Sequence, residues 1–148
     1  MDNFNSCEEL DQAIYEQVTD LSECGNLLME QGCYEEALLK FEFALSLLPS
    51  PQEKWDAFTW LKAATSDAYF FMKNFKKCKD EAFDGMKGPG GVDNEFLLMR
   101  IGECFYEESG FFSERAADFL ARAYMLGGDD IFLEEDPKYL KFIKDILD

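Results

Sequence analysis

The sequence predicts an all-α fold: three pairs of helices joined by short turns, followed by a short C-terminal helix. Three observations carry this prediction. Apolar residues recur at helical intervals along most of the chain. Clusters of Gly and Pro interrupt that pattern at regular places. No segment shows the sustained apolar-polar alternation of a strand.

Each element follows from local chemistry. Ser6-Cys7-Glu8-Glu9 has the form of a capping box, so the first helix is expected over about residues 7–31. Leu10, Ile14, Val18, Leu21 and Leu28 give it an apolar stripe. A break at Thr19-Asp20, two residues able to cap, stays open as an alternative. Gly32-Cys33 makes the turn, and a second helix over about 34–48 ends at Pro49-Ser50-Pro51, since proline cannot continue it. The third helix, about 52–72, carries Trp55, Phe58, Trp60, Leu61, Ala64, Ala68 and Tyr69. Asn74 suits a turn before a fourth helix of about 75–86. Lys87-Gly88-Pro89-Gly90-Gly91 breaks the chain. Asn94 can cap a fifth helix over about 95–108, and Ser109-Gly110 turns into a sixth over about 114–126, led by Ser113. Gly127-Gly128 ends it. Asp136-Pro137 pairs a cap with proline at the first helical position, opening a last helix over about 137–147.

The stretch GCYEEALLKFEFALSLLP, from Gly32 to Pro49, resembles the second half of a tetratricopeptide repeat (TPR), a helix-turn-helix unit with a period of 34 residues. Counting from Val18, Cys24, Gly25 and Leu28 fall at positions 7, 8 and 11, and Tyr34, Ala37, Phe41, Ala44 and Pro49 at 17, 20, 24, 27 and 32. A second copy places Ser66, Tyr69, Phe75, Cys78 and Gly85 at 8, 11, 17, 20 and 27, with Ala82 in place of the usual ring at 24. Its register lies 41 residues on, and the seven extra residues are expected at the start of the third helix. A third copy has Leu98, Ile101, Gly102 and Phe105 at 4, 7, 8 and 11, with Ala116, Leu120 and Ala123 shifted by two residues. The resemblance covers about residues 18–126. It implies one domain of three repeats (about 7–49, 52–87 and 94–127) in a right-handed superhelical stack, with the helix at 137–147 as its solvating cap.

In this family the inner wall comes from positions 2, 5, 9, 12 and 13 of each first helix. Carried over, these are Thr19, Ser22, Asn26, Met29 and Glu30; Trp60, Ala63, Asp67, Phe70 and Phe71; and Phe96, Met99, Glu103, Tyr106 and Glu107. The expected partner-binding residues are Ser22, Asn26, Met29, Glu30, Trp60, Asp67, Phe70, Phe71, Met99, Glu103, Tyr106 and Glu107. Aromatic and Met side chains supply contact area, while Glu30, Asp67, Glu103 and Glu107 are expected to supply negative charge. Grooves that clamp the acidic tails of heat-shock chaperones use Lys, Arg and Asn. Here the matching positions are Ser22, Asn26, Ala63 and Asp67, and a carboxylate at 67 repels such a tail.

Charge narrows the partner further. The net charge is −17, and residues 1–39 carry ten acids with no Lys or Arg. Such a field repels nucleic acid and steers a basic protein inward. The N-terminal segment has no secretory pattern and no window is long and apolar enough to span a membrane, so a cytoplasmic protein with reduced thiols is expected. The chain has no histidine, the commonest general base and metal ligand. Gly88-Pro89-Gly90-Gly91 lacks the Lys-Ser/Thr of a phosphate loop. The run from Asp129 to Asp136 lacks the ligand alternation of an EF-hand and reads as a solvated acidic loop. Glu107 and Glu108 are adjacent and diverge on a helix. No catalytic constellation, metal site or cofactor is expected.

The later segment GECFYEESGFFSERAADFLARAYMLGGDDIFLEEDPKYLKFI resembles small bacterial TPR proteins of polymorphic toxin loci, which implies an immunity protein that binds and neutralises a basic toxin domain. The alternatives are a small three-repeat secretion chaperone holding a translocator and a general interaction scaffold.

Overall fold

A computed structural model describes residues 9–109 and 113–147. Among them the chain forms seven α-helices and two short 3-10 turns, without a strand. Helix α1 spans Gln12–Glu30 and α2 spans Tyr34–Ser46. The first helix starts later than the capping-box form of Ser6 predicts. Residues 9–11 are not helical, and Asp11 is the cap, its carboxylate accepting from the Ala13 N–H at 3.1 Å. Ser6 itself lies outside the described residues. The helix runs unbroken through Thr19-Asp20 because Val18 is fully buried and holds that turn against α2 and α3. Gly32 at φ +80° lets the chain reverse, a conformation that side chains with a Cβ resist.

Helix α3 spans Asp56–Phe71, so the third helix also begins later than expected. The preceding residues form a 3-10 turn, Gln52–Lys54, and Trp55 is extended at φ −96°, ψ 142°. The Trp55 indole N–H donates to the Pro49 carbonyl at 2.8 Å, and the ring is buried. That anchor interrupts the helix, so most of the extra residues are spent in a connection. Helix α4 spans Phe75–Gly85, capped by Asn74, which accepts from the Lys77 N–H at 3.2 Å.

Helix α5 spans Glu95–Ser109, with Asn94 accepting from the Phe96 and Leu97 N–H groups at 3.0 Å each. Helix α6 spans Glu114–Gly127, capped by Ser113. A 3-10 turn, Asp129–Phe132, follows, then α7, Pro137–Leu147, whose cap is Asp136. The rest of the expected turn after Ser109, residues 110–112, lies outside the described residues.

The helices pack in chain order: α1 with α2, α3 with α4, α5 with α6, and each pair on the next through α2 with α3 and α4 with α5. The first helices of the pairs also touch each other, α1 with α3 and α3 with α5, and form the inner layer. Close crossings explain the small residues. A Cβ on Gly25 would lie 2.4 Å from the Phe41 ring, and one on Gly102 would lie 2.6 Å from Leu120 Cγ. Phe41, Leu61, Leu97, Ile101, Leu120 and Ile143 are almost wholly buried, each contributing about 1.5–3 kcal/mol from apolar transfer. Helix α7 covers the last pair, with Ile143 and Tyr139 packed on the cluster of Leu98, Leu120 and Ala123.

Candidate binding groove

The inner layer encloses a groove of about 830 Å³. Ser22 and Asn26 come from α1, Trp60, Ala63, Asp67 and Phe71 from α3, and Phe96, Met99 and Arg100 from α5. The segment after α6 supplies the remaining side through Asp130, Ile131, Leu133, Glu134 and Glu135. Trp60, Phe71 and Phe96 are 38%, 46% and 51% exposed, which is much open surface for rings of this size. Their presence on one wall follows from the repeat: each first helix presents the same positions to the same side.

A buried ion cluster forms the floor. The Arg100 Nε donates to Asp67 Oδ1 at 2.9 Å, and Nη1 donates to Glu103 Oε1 and Glu135 Oε1 at 2.7 Å each. The guanidinium also lies over the Phe70 ring, 4.5 Å from its centroid, a cation–π contact. Burial opposes the charge on Arg100, but Asp67, Glu103 and Glu135 hold its pKa above the ordinary value. Burial pushes the Glu103 carboxyl well above the usual carboxylate range; the Arg100 charge opposes that shift and Glu135 adds to it. Glu103 Oε2 is buried without a hydrogen-bond partner. Both facts suit a carboxylic acid, with Arg100 balanced by Asp67 and Glu135. Asp67 sits deep in the groove yet opens to it through 42% of its side-chain surface. Its carboxyl is raised by desolvation, with Arg100 pulling the other way.

Next to the groove lies a smaller recess of about 240 Å³, bordered by Phe70, Phe71, Glu107, Glu135, Lys138 and Tyr139. Glu107 accepts from Lys138 Nζ at 2.7 Å and from the Tyr139 hydroxyl at 2.5 Å. Burial raises the Glu107 carboxyl, but these two donors outweigh it and hold the pKa below its ordinary value. Glu108 turns the other way, to Lys79.

The structure brings Ser22, Asn26, Trp60, Asp67, Phe71 and Met99 together around the groove, with Ala63 and Phe96 beside them. Phe70 and Glu107 border the adjoining recess. Met99 is 3% exposed, so it is floor rather than open wall. Met29 packs on the core of the first pair, and Glu30 is exposed at the end of α1; neither borders the groove. Tyr106 meets Tyr139 and Phe142 with ring centroids 5.4 and 5.1 Å apart, turned toward α7. Glu103 is completely buried and, held as a carboxylic acid by that burial, offers no charge to a partner.

Two participants depart from the sequence reading. Arg100 was not among the expected wall residues, although it is the only Lys or Arg between Lys87 and Arg115 and stands inside the apolar run FLLMRIG. The segment 129–136 is not simply a solvated loop. Phe132 is buried, Ile131 packs beside it, and Glu135 enters the Arg100 cluster.

Among the described residues, no helix is long and apolar enough to cross a membrane. Neither a protein-family model nor a curated protein sequence matches the chain. Among solved structures the chain is similar to the C-terminal TPR-containing domain of a Plasmodium falciparum protein described as an FK506-binding protein. The TM-score is 0.70 over 95% of this chain and 92% of that one, at 17% identity. The fold is that of a TPR stack with an added C-terminal helix.

Proposed function

We propose that this chain is a cytoplasmic protein-binding module, and that its partner is a basic toxin domain which it neutralises as an immunity protein. One observation carries the reading: three half-exposed rings, Trp60, Phe71 and Phe96, stand in a groove whose rim includes Asp130 and Glu134. Exposed aromatic anchors inside a concave surface are the pattern of an interface hot spot. An acidic rim on a chain of net charge −17 favours a basic partner and fast encounter with it. Ser22, Asn26, Trp60, Asp67, Phe71 and Phe96 are the proposed contact residues, with Met99 as the floor beneath them and Phe70 and Glu107 at the neighbouring recess.

Co-expression with the cognate toxin should restore growth and yield a stable complex. Unchanged toxicity with no complex formed rejects the immunity reading. The same exposed rings also favour a secretion chaperone, which would hold an extended apolar segment. The client separates the two: a folded toxin domain that loses affinity when reduced to short peptides supports immunity, whereas full affinity for one extended peptide supports the chaperone.

A further inference from the structure

A second recess, of about 390 Å³, lies where the start of α1 meets the start of α3. Tyr15, Trp55 and Trp60 line it together with Leu10, Glu9 and Asp56. These are both tryptophans of the chain. Trp55 is fixed by burial and by its bond to the Pro49 carbonyl, whereas Tyr15 and Trp60 are 49% and 38% exposed. Glu9 and Asp56 are exposed carboxylates beside these rings. The Trp55 ring already attracts a cation: Lys54 Nζ lies 4.6 Å from its centroid.

We propose that this recess, built by Tyr15, Trp55 and Trp60 with the carboxylates of Glu9 and Asp56, binds a quaternary or methylated ammonium head. Ring faces carry the negative end of a quadrupole and attract cations. A methylated ammonium presents its charge under an apolar shell and loses little hydration on entering an aromatic site. A primary ammonium is compact and strongly hydrated, so it leaves water at greater cost. The two carboxylates add long-range attraction, which offsets the charge of Lys54 beside the Trp55 ring. The volume falls near the lower end of small-ligand pockets, about 300–1,000 Å³, which suits a headgroup rather than a large molecule. Trp60 borders both this recess and the main groove, whereas Tyr15 borders only the recess, so Tyr15→Ala tests this site separately from the reading of the groove's partner.

The test is a titration of intrinsic tryptophan fluorescence, which in this chain comes only from the two indoles of the recess. Choline should change the emission saturably. Its neutral isostere, 3,3-dimethylbutan-1-ol, should bind at least about tenfold more weakly, since only the charge differs. Trp60→Ala and Tyr15→Ala should each weaken choline binding several-fold by calorimetry, in variants whose circular-dichroism spectra show the helical fold retained. Trp60→Phe should retain part of the affinity. A peptide carrying trimethyllysine, compared with choline, identifies the source: tighter peptide binding points to a modified protein, tighter choline binding to a free small molecule. Equal binding of choline and the neutral alcohol overturns the proposal, and so does the absence of any saturable response to either ammonium ligand.

Discussion

Arg100 and Glu135 stand thirty-five residues apart in sequence and meet at 2.7 Å, Nη1 to Oε1. This contact ties the segment after α6 to the middle of α5, and Asp67 extends the tie to α3. Arg100→Met removes the cation and leaves the acids facing each other in a dry site. Breaking a buried pair in this way costs about 3–5 kcal/mol. The melting temperature should fall by several degrees, and amide exchange should quicken in residues 129–136 more than in α1 or α2. Uniform exchange changes across the chain would show that the cluster does not hold this segment.

Glu103 gives the cluster a pH dependence of known sign. The folded protein holds the Glu103 proton more tightly than the unfolded chain, in which glutamate titrates at about 4.3. Stability should therefore decline as the pH rises from there toward the folded value, and the decline stops once both states are ionised. Glu103→Gln keeps an acceptor for Arg100 and has no proton to lose. The gap in melting temperature between the variant and the parent should widen in favour of Gln from pH 5 to pH 8. Parallel curves would assign the proton elsewhere.

The close helix crossings predict opposite outcomes from those of helix propensity. Gly→Ala in an exposed helix gains about 1 kcal/mol. Gly25→Ala should instead destabilise, by about 1–3 kcal/mol as over-packing does, because the Phe41 ring lies 2.4 Å from the new Cβ and is itself buried. Gly102→Ala should be worse, since the backbone nitrogen of Leu120 lies 2.9 Å from its Cβ and cannot step aside. In a double-mutant cycle, Phe41→Leu should recover part of the Gly25→Ala loss. Denaturant midpoints measure all of these.

Electrostatic steering by the rim is open to a separate test. Asp130 and Glu134 are exposed on the groove's edge. Reversing both to Lys should slow association with a basic partner several-fold at low salt, and flatten its dependence on ionic strength as the Debye length falls from about 30 to about 8 Å. Dissociation should change less. Stopped-flow association rates at three salt concentrations decide this, and an unaltered salt dependence would place the contact away from the rim.

Features set by a few neighbouring residues were legible in the sequence. Gly32, Gly88 to Gly91 and Asp136-Pro137 mark boundaries because their effect on the backbone is local. The repeat register likewise carried Trp60, Phe71 and Phe96 to one wall. Local rules failed where a distant contact decides. Ser6 and Asp11 are both competent caps, and nothing within the first turn distinguishes them. Gln52–Lys54 has helical potential, but the Trp55 indole bond to Pro49 diverts it. The Arg100 cluster joins residues 67, 100, 103 and 135 from three elements, so no short pattern announces it. Carboxylates read as free charge at Glu103 and Glu107 are taken up by partners on α5 and α7.

The segment following α6 has a mechanical consequence. An open stack of helix pairs behaves as a spring, each pair joined only to its neighbours. Here Glu135 reaches back through Arg100 to Asp67, bracing the third pair against the inner helix of the second. Among the described residues no ion cluster braces the first pair in this way; it joins the rest through a common apolar core with α3, by α2 with α3 and the lighter touch of α1 on α3. The two sides of the groove are therefore held by different forces: the Ser22 and Asn26 side by the shared apolar core of Val18, Phe41 and Leu61, and the Phe96 and Arg100 side by charge as well as packing.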